Sequence, residues 1–195
     1  MASQLKPRPA RVKNQAATAF ASKNAAALVT GVTKRTREAL RDIITRSVRE
    51  GMSPAEVARD VREMIGMSRV QAQAAMNYRA SLKGVVPQRK AMLMERYIAQ
   101  KVRERAVTIA RFEVMNALNG GQLESWLDRQ REGELPKGAR KSPMVTSDVK
   151  ACGECRSVSG RKYKLDAEIR PGRQHPPFHP RCRCAITLHP GGRSK

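Results

Sequence analysis

Aromatic side chains and carboxylates are scarce in this chain, and apolar runs of membrane length are absent. One Trp, three Tyr and three Phe are all the aromatics in 195 residues. With a negative mean hydropathy, that leaves a thin core, where a compact enzyme of this length would bury more large side chains. No stretch approaches the roughly 20 apolar residues a membrane span requires, so no membrane partner is expected. Residues 1–11 are basic without an apolar segment, so no secretory signal is expected. Cysteine is absent before position 152. In a reducing cytoplasm, the four that follow favour metal binding over disulfides.

The shortage of carboxylates sets the charge. Only 17 Asp and Glu stand against 39 Lys and Arg, a formal net charge of +22. The excess is +8 over residues 1–50, +5 over 51–130 and +9 over 131–195. Basic charge along the whole length points to a polyanionic partner, and sequence-independent contact with nucleic-acid phosphate is the usual form. The candidate contacts are spread along the chain: Arg35, Arg41, Arg103, Arg105, Arg111, Arg181 and Arg183.

Residues 1–13 hold two prolines among basic residues and read as a disordered basic arm. From residue 14 to 132 the pattern is helical. Leu40, Ile43, Ile44 and Val48 fall at helical spacing until Gly51. Ser53-Pro54-Ala55-Glu56 has the composition of a capping box with proline in the first turn, followed by an apolar stripe of Val57, Val61, Met64 and Ile65. Ser68 caps a further helix through Ala80, broken by Gly84 and Pro87. The longest signal runs from Gln88 to Leu118, with Met94, Ile98, Val102, Ala106 and Ile109 on one face. Asn119-Gly120-Gly121 is then either a C-cap or a weak point in a helix that resumes over residues 122–131. Gly133, Pro136, Gly138 and Pro143 mark a linker over 133–143. A module over 144–190 follows, with short β-capable pieces at 144–146, 161–165 and 183–188, and then a basic tail, 191–195. The expected fold is mainly α: an elongated helical body followed by a small loop-rich α+β module, too small to be held by apolar burial alone.

All four cysteines and all three histidines lie in that module. Cys152-Gly-Glu-Cys155 offers two thiolates from one tight turn. His179-Pro-Arg-Cys182 offers a second pair at the same spacing. Two such pairs match a closed tetrahedral structural zinc site. Cys184 adds a fifth candidate, on the same face as Cys182 if the segment is extended. Cys152, Cys155 and His179 are therefore expected with one of Cys182 and Cys184, Cys182 being preferred. Flanking Lys150, Arg156, Arg181 and Arg183 would favour thiolate. His175 and His189 are given no role. A disulfide or a redox CxxC are the competing readings, and the latter lacks its βαβ setting. Asp166 and Glu168 are the nearby carboxylates and sit in no nuclease pattern, so a catalytic metal lacks its general base. No catalytic residues are assigned, and the protein is not expected to be an enzyme.

Two segments resemble the Mu F-type head morphogenesis family of phage minor head proteins. One is the stretch Arg105 to Trp126, whose Ala110-Arg111-Phe112-Glu113 is similar to the family's Ala-Arg-Thr-Glu core. The other is Cys152-x-x-Cys155, Ser159-Gly160 and Pro176-Pro-Phe-His-Pro-Arg-Cys-Arg-Cys184, similar to the family's signature ending in His-Pro-x-Cys-Arg-Cys. The likeness covers about residues 50–190. Phe112 departs from it where Thr is usual, and residues 142–146 lack a common Trp. The resemblance implies a virion component of few copies, made in the host cytoplasm and associated with the portal or the capsid interior. Its implied partners are portal protein, major capsid protein or both, with packaged double-stranded DNA. In some relatives it implies a role in packaging or ejection. The alternatives are a metal-dependent nuclease and a zinc-containing nucleic-acid-binding regulator.

Overall fold

The structure is a computed structural model and describes residues 14–26, 29–145 and 151–190. The basic arm and basic tail expected at 1–13 and 191–195 lie outside the described residues. Five helices come first: α1 (Gln15–Asn24), α2 (Lys34–Arg49), α3 (Pro54–Met64), α4 (Arg69–Ser81) and α5 (Pro87–Arg131). Then come β1 (Arg140–Met144), the single-turn α6 (Gly153–Arg156), β2 (Tyr163–Lys164) and β3 (Ala185–His189). Among the described residues, no helix is long and apolar enough to cross a membrane.

The helix starts follow from local chemistry. Ser53 accepts from the Glu56 amide while the Glu56 carboxylate accepts from the Ser53 amide, a reciprocal capping box. Ser68 and Gln71 do the same for α4. Gly51, at φ +63°, lets the chain turn out of α2.

The body is built from small residues. Ala17, Ala21, Ala25, Leu40, Ile44, Val57, Ala58, Val61, Ala106, Ile109, Ala110 and Ala117 belong to one buried cluster. Alanine lets helices approach closely, which is how a chain this poor in aromatics still encloses a core. A close approach of α1 occurs at Gly120 and Gly121, within the Asn119-Gly120-Gly121 stretch. These residues neither end nor interrupt α5, which runs unbroken for 45 residues, about 68 Å. A Cβ on Gly120 would collide with the Phe20 ring, and one on Gly121 with the backbone of Ala16 and Ala17. The glycines are there because α1 crosses at that point.

Only Ala75 of α4 is buried. With the first turns of α5 it forms a hairpin beyond the core, held by stacked Tyr78 and Tyr97 rings (centroids 4.5 Å apart) and by the Gln71 amide donating to the Lys101 carbonyl (2.8 Å). The apolar stripe read along α5 is therefore buried only at Ala106 and Ile109. Ile98 is exposed, as are Val70, Met76, Val86 and Met92 on the hairpin.

The sheet has strand order β2-β1-β3, both pairings antiparallel. Its central strand begins at Arg140, inside the stretch whose Gly and Pro content marks a linker. Pro143 is tolerated because β2 pairs only with Arg140 and Lys141, leaving the far edge open where its missing N–H would point. The module does not stand alone either. Leu123 and Trp126 of α5 share a buried cluster with Leu135, Val158, Leu165, Ile169 and Ile186, so the long helix supplies part of the module's core.

Gly121→Ala is expected to lower stability by about 1–3 kcal/mol in chemical denaturation, although alanine favours the helix by about 1 kcal/mol. Gly66→Ala, which meets nothing within 4 Å, should stay within about 0.5 kcal/mol of the parent. Equal effects would remove the close-approach explanation.

A candidate Cys and His metal centre

Three backbone devices bring the candidate ligands together. Cys152 caps the N-terminus of α6, its sulfur accepting from the Cys155 amide at 3.4 Å, so both thiols of the CxxC lie on one turn. The second pair sits at the two ends of a β-turn, closed by the Cys182 amide donating to the His179 carbonyl (3.1 Å). Pro180 takes its second position, and Arg181, at φ +69°, takes its third. This is the type II pattern, in which proline presets the entry and the third residue carries the positive φ. The third device acts on His179 itself. Its Nδ1 lies 2.7 Å from the Pro180 carbonyl, which fixes the proton there and leaves Nε2 as the free donor atom.

That Nε2 lies 3.1 Å from Cys152 Sγ and 3.3 Å from Cys155 Sγ. Cys155 Sγ is 3.8 Å from Cys182 Sγ. A tetrahedral zinc ion with bonds of about 2.3 Å to sulfur and about 2.0 Å to nitrogen needs S···S edges near ~3.8 Å and S···N edges near ~3.5 Å. The donor set fits. The five expected residues fall into two overlapping triads, Cys152–Cys155–His179 and Cys155–Cys182–Cys184, within each of which the ligand atoms lie within 4.8 Å of one another. Cys155 is the shared corner. Cys182 and Cys184 both precede β3 rather than alternating along a strand, yet both are buried beside Cys155. The cavity they line holds about 20 Å³, room for an ion-sized sphere and little more.

The sulfurs do not share protons evenly. Hydrogen bonding from Cys184 brings the Cys182 thiol down to about 5, and the Cys155 amide also lowers Cys152. Burial pushes Cys155 up to about 12. The interaction with Cys182, reinforced by burial, raises Cys184. Burial disfavours a charged His179, but the Pro180 carbonyl and the sulfurs of Cys182 and Cys152 outweigh it and raise its pKa. Crowded thiols of this kind cannot all ionise unless a cation compensates them, and a bound ion would displace the remaining protons.

The helix that carries this module also clamps it. Asn119 Nδ2 donates to the Cys184 carbonyl (3.2 Å) and its Oδ1 accepts from the Ile186 amide (3.1 Å). The side-chain amide thus pairs with the free edge at β3 as a neighbouring strand would, gripping the backbone of Cys184, a metal-ligand candidate. Sequence reasoning missed this residue, although an asparagine inside an otherwise strong helix is the kind of signal that marks it. It also missed Lys141, fully buried, with Nζ donating to the Leu165 carbonyl (2.6 Å). Burial lowers the Lys141 ammonium to about 8. Phe112, the departure in the helix core motif, is 1% exposed and lies under Arg173 of the module.

The seven arginines expected to contact nucleic acid are not equivalent. Arg105 donates to the Gly66 and Thr30 carbonyls (2.8 and 2.7 Å), and Arg41 to that of Ala25 (3.4 Å), so both tie loops to helices. Arg183 lines the cysteine cavity, and Arg35 is exposed on α2. Arg103, Arg111 and Arg181 line one cleft.

The purified protein is expected to bind one ion per chain by elemental analysis. Cys155→Ser should abolish binding because both triads lose their common corner; full occupancy in that variant would exclude the site. Since the ligands bind metal only when deprotonated, affinity should fall as pH falls, read by a chromogenic chelator between pH 8 and pH 5. Asn119→Ala leaves the Ile186 amide without a partner and should cost about 1–3 kcal/mol. Hydrogen exchange should locate that loss in β3 while α1–α3 keep their protection. Lys141 binds more protons unfolded than folded between pH 8 and 10.5, so it makes stability rise with pH across that window. Lys141→Met should flatten that rise in pH-dependent denaturation.

No curated protein and no solved structure matches the chain. A family model, Phage Mu protein F like protein, matches residues 38–187, a span that takes in α5, β1, β2, the start of β3 and every candidate ligand. The chain belongs to the phage Mu protein F-like family.

Proposed function

We propose that this is a structural minor head protein of a tailed phage, acting in head morphogenesis at the portal or capsid interior. It carries a structural zinc ion in its C-terminal module and makes non-specific contact with packaged double-stranded DNA. The family match over residues 38–187 carries this reading, since the family is one of phage head proteins. The site supports a structural ion over a catalytic one. Its ligands are thiols and an imidazole, and the cavity of about 20 Å³ has no place for a substrate. The partner is a portal or major capsid protein. The α4–α5 hairpin supports that part of the reading, because it presents Val70 (80% exposed), Met76 (65%) and Val86 (60%) outside the core, and such apolar groups mark protein contacts when they cluster.

Mass spectrometry of purified proheads and mature virions should detect the chain in at least one of them; absence from both would overturn the assignment. Val70→Glu combined with Met76→Glu should abolish co-purification with proheads and leave the melting temperature within about 2 °C, because neither side chain belongs to the core. Retention of the double variant in proheads would remove the hairpin from the interface.

A further inference from the structure

Two clefts flank the middle of α5 and meet at Arg103 and Val107. One, of about 430 Å³, is walled by Arg59 and Arg62 of α3. The other, of about 420 Å³, is walled by Arg103 and Arg111 of α5 and by Arg181 from the turn between His179 and Cys182. Arg59, Arg62, Arg103 and Arg181 are exposed and Arg111 is half-buried. Among the described residues, none of these five guanidinium groups takes part in a salt bridge. The nearby carboxylates are engaged elsewhere. Asp60 pairs with Arg46 (3.6 Å), and Glu104, which lines the second cleft, pairs with Lys101 (3.1 Å).

The five arginines converge from two helices and a loop, and the one carboxylate lining the clefts, Glu104, which also interacts with Arg181, leaves them a net positive charge. We infer that the paired clefts are a single groove for a nucleic-acid backbone, with Arg59, Arg62, Arg103, Arg111 and Arg181 as its phosphate contacts. Planar guanidinium forks suit phosphate oxygens. Arg103 and Arg111 lie two turns apart, about 12 Å along the helix, a span for more than one phosphate of a strand rather than for one small anion. Val107, 38% exposed between them, offers no hydrogen bond to a base edge, and Gln100 and Thr108 in the same cleft are engaged with Glu104 and Arg181, so the groove positions a strand without reading its sequence. Arg181 is steered in by its turn and by its Nε, 3.4 Å from Thr108 Oγ1. The inference rests on the proposed contact with DNA and localises it: Arg59 and Arg62 join the contact set, and Arg41 and Arg105, tied to carbonyls, leave it.

The test is fluorescence anisotropy of the full chain with a 30-base-pair duplex of arbitrary sequence over a salt series, alongside three double variants. Arg103→Ala with Arg111→Ala should weaken binding at least tenfold and reduce the salt slope by about two. Arg59→Ala with Arg62→Ala should do the same from the α3 side. Arg49→Ala with Arg89→Ala removes equal charge elsewhere and should change affinity less than about twofold. Equal losses in all three would overturn the groove while leaving DNA contact itself standing. No binding by the parent chain at low salt would overturn both. Competition by polyglutamate as effective, charge for charge, as competition by duplex would reassign the clefts to an acidic protein and overturn the nucleic-acid inference.

Discussion

One turn of α5 holds the molecule together. At Asn119-Gly120-Gly121 the helix receives α1 on its glycine face and the edge of β3 on its asparagine. Two kinds of complementarity meet there. Gly121 brings two backbones into van der Waals contact, Gly120 makes room for the Phe20 ring, and the side-chain amide satisfies two backbone groups that a sheet edge would otherwise leave open. Because body and module are both registered on this turn, the position of the Cys and His residues relative to the helical body is set by α5 and not by the connecting loop.

Packing and chemistry divide the remaining work. The body relies on alanine-rich contacts between helices, which place little bulk in the core and leave the outer faces to arginine and lysine. The module has a small apolar cluster completed by Leu123 and Trp126, and beside it a knot of sulfur and imidazole. Held apart from a cation, that knot is electrostatically frustrated: neighbouring thiols compete for protons, and burial opposes their ionisation. A soft divalent ion bound there would relieve the frustration, and its binding free energy would then contribute to folding.

Much of this was legible in the sequence because much of it is local. The capping boxes at Ser53 and Ser68 depend on residues three apart, and the two candidate ligand pairs each occupy a single turn. What was misread depends on distant residues. Gly120 and Gly121 look like a helix break until Phe20 and Ala17 are seen against them. Pro143 and its neighbouring glycines look like a linker until the open edge of β1 explains how a strand can hold a proline. Asn119 carries no motif; its role exists only when β3, some 65 residues later, is brought to its side. The choice between Cys182 and Cys184 is not local either, since both reach Cys155 from the same short approach.

The continuity of α5 also turns residue count into geometry. The hairpin tip sits at the start of α5 and the Cys and His module packs along its second half, from Thr108 to Trp126, so the number of residues between them fixes both separation and relative angle. One inserted residue near position 100 would extend the helix by about 1.5 Å and rotate the tip by about 100°, aiming Met76 and Val86 in a new direction. Insertions there would preserve the aim of the tip only in steps close to whole turns, about seven or eleven residues at a time.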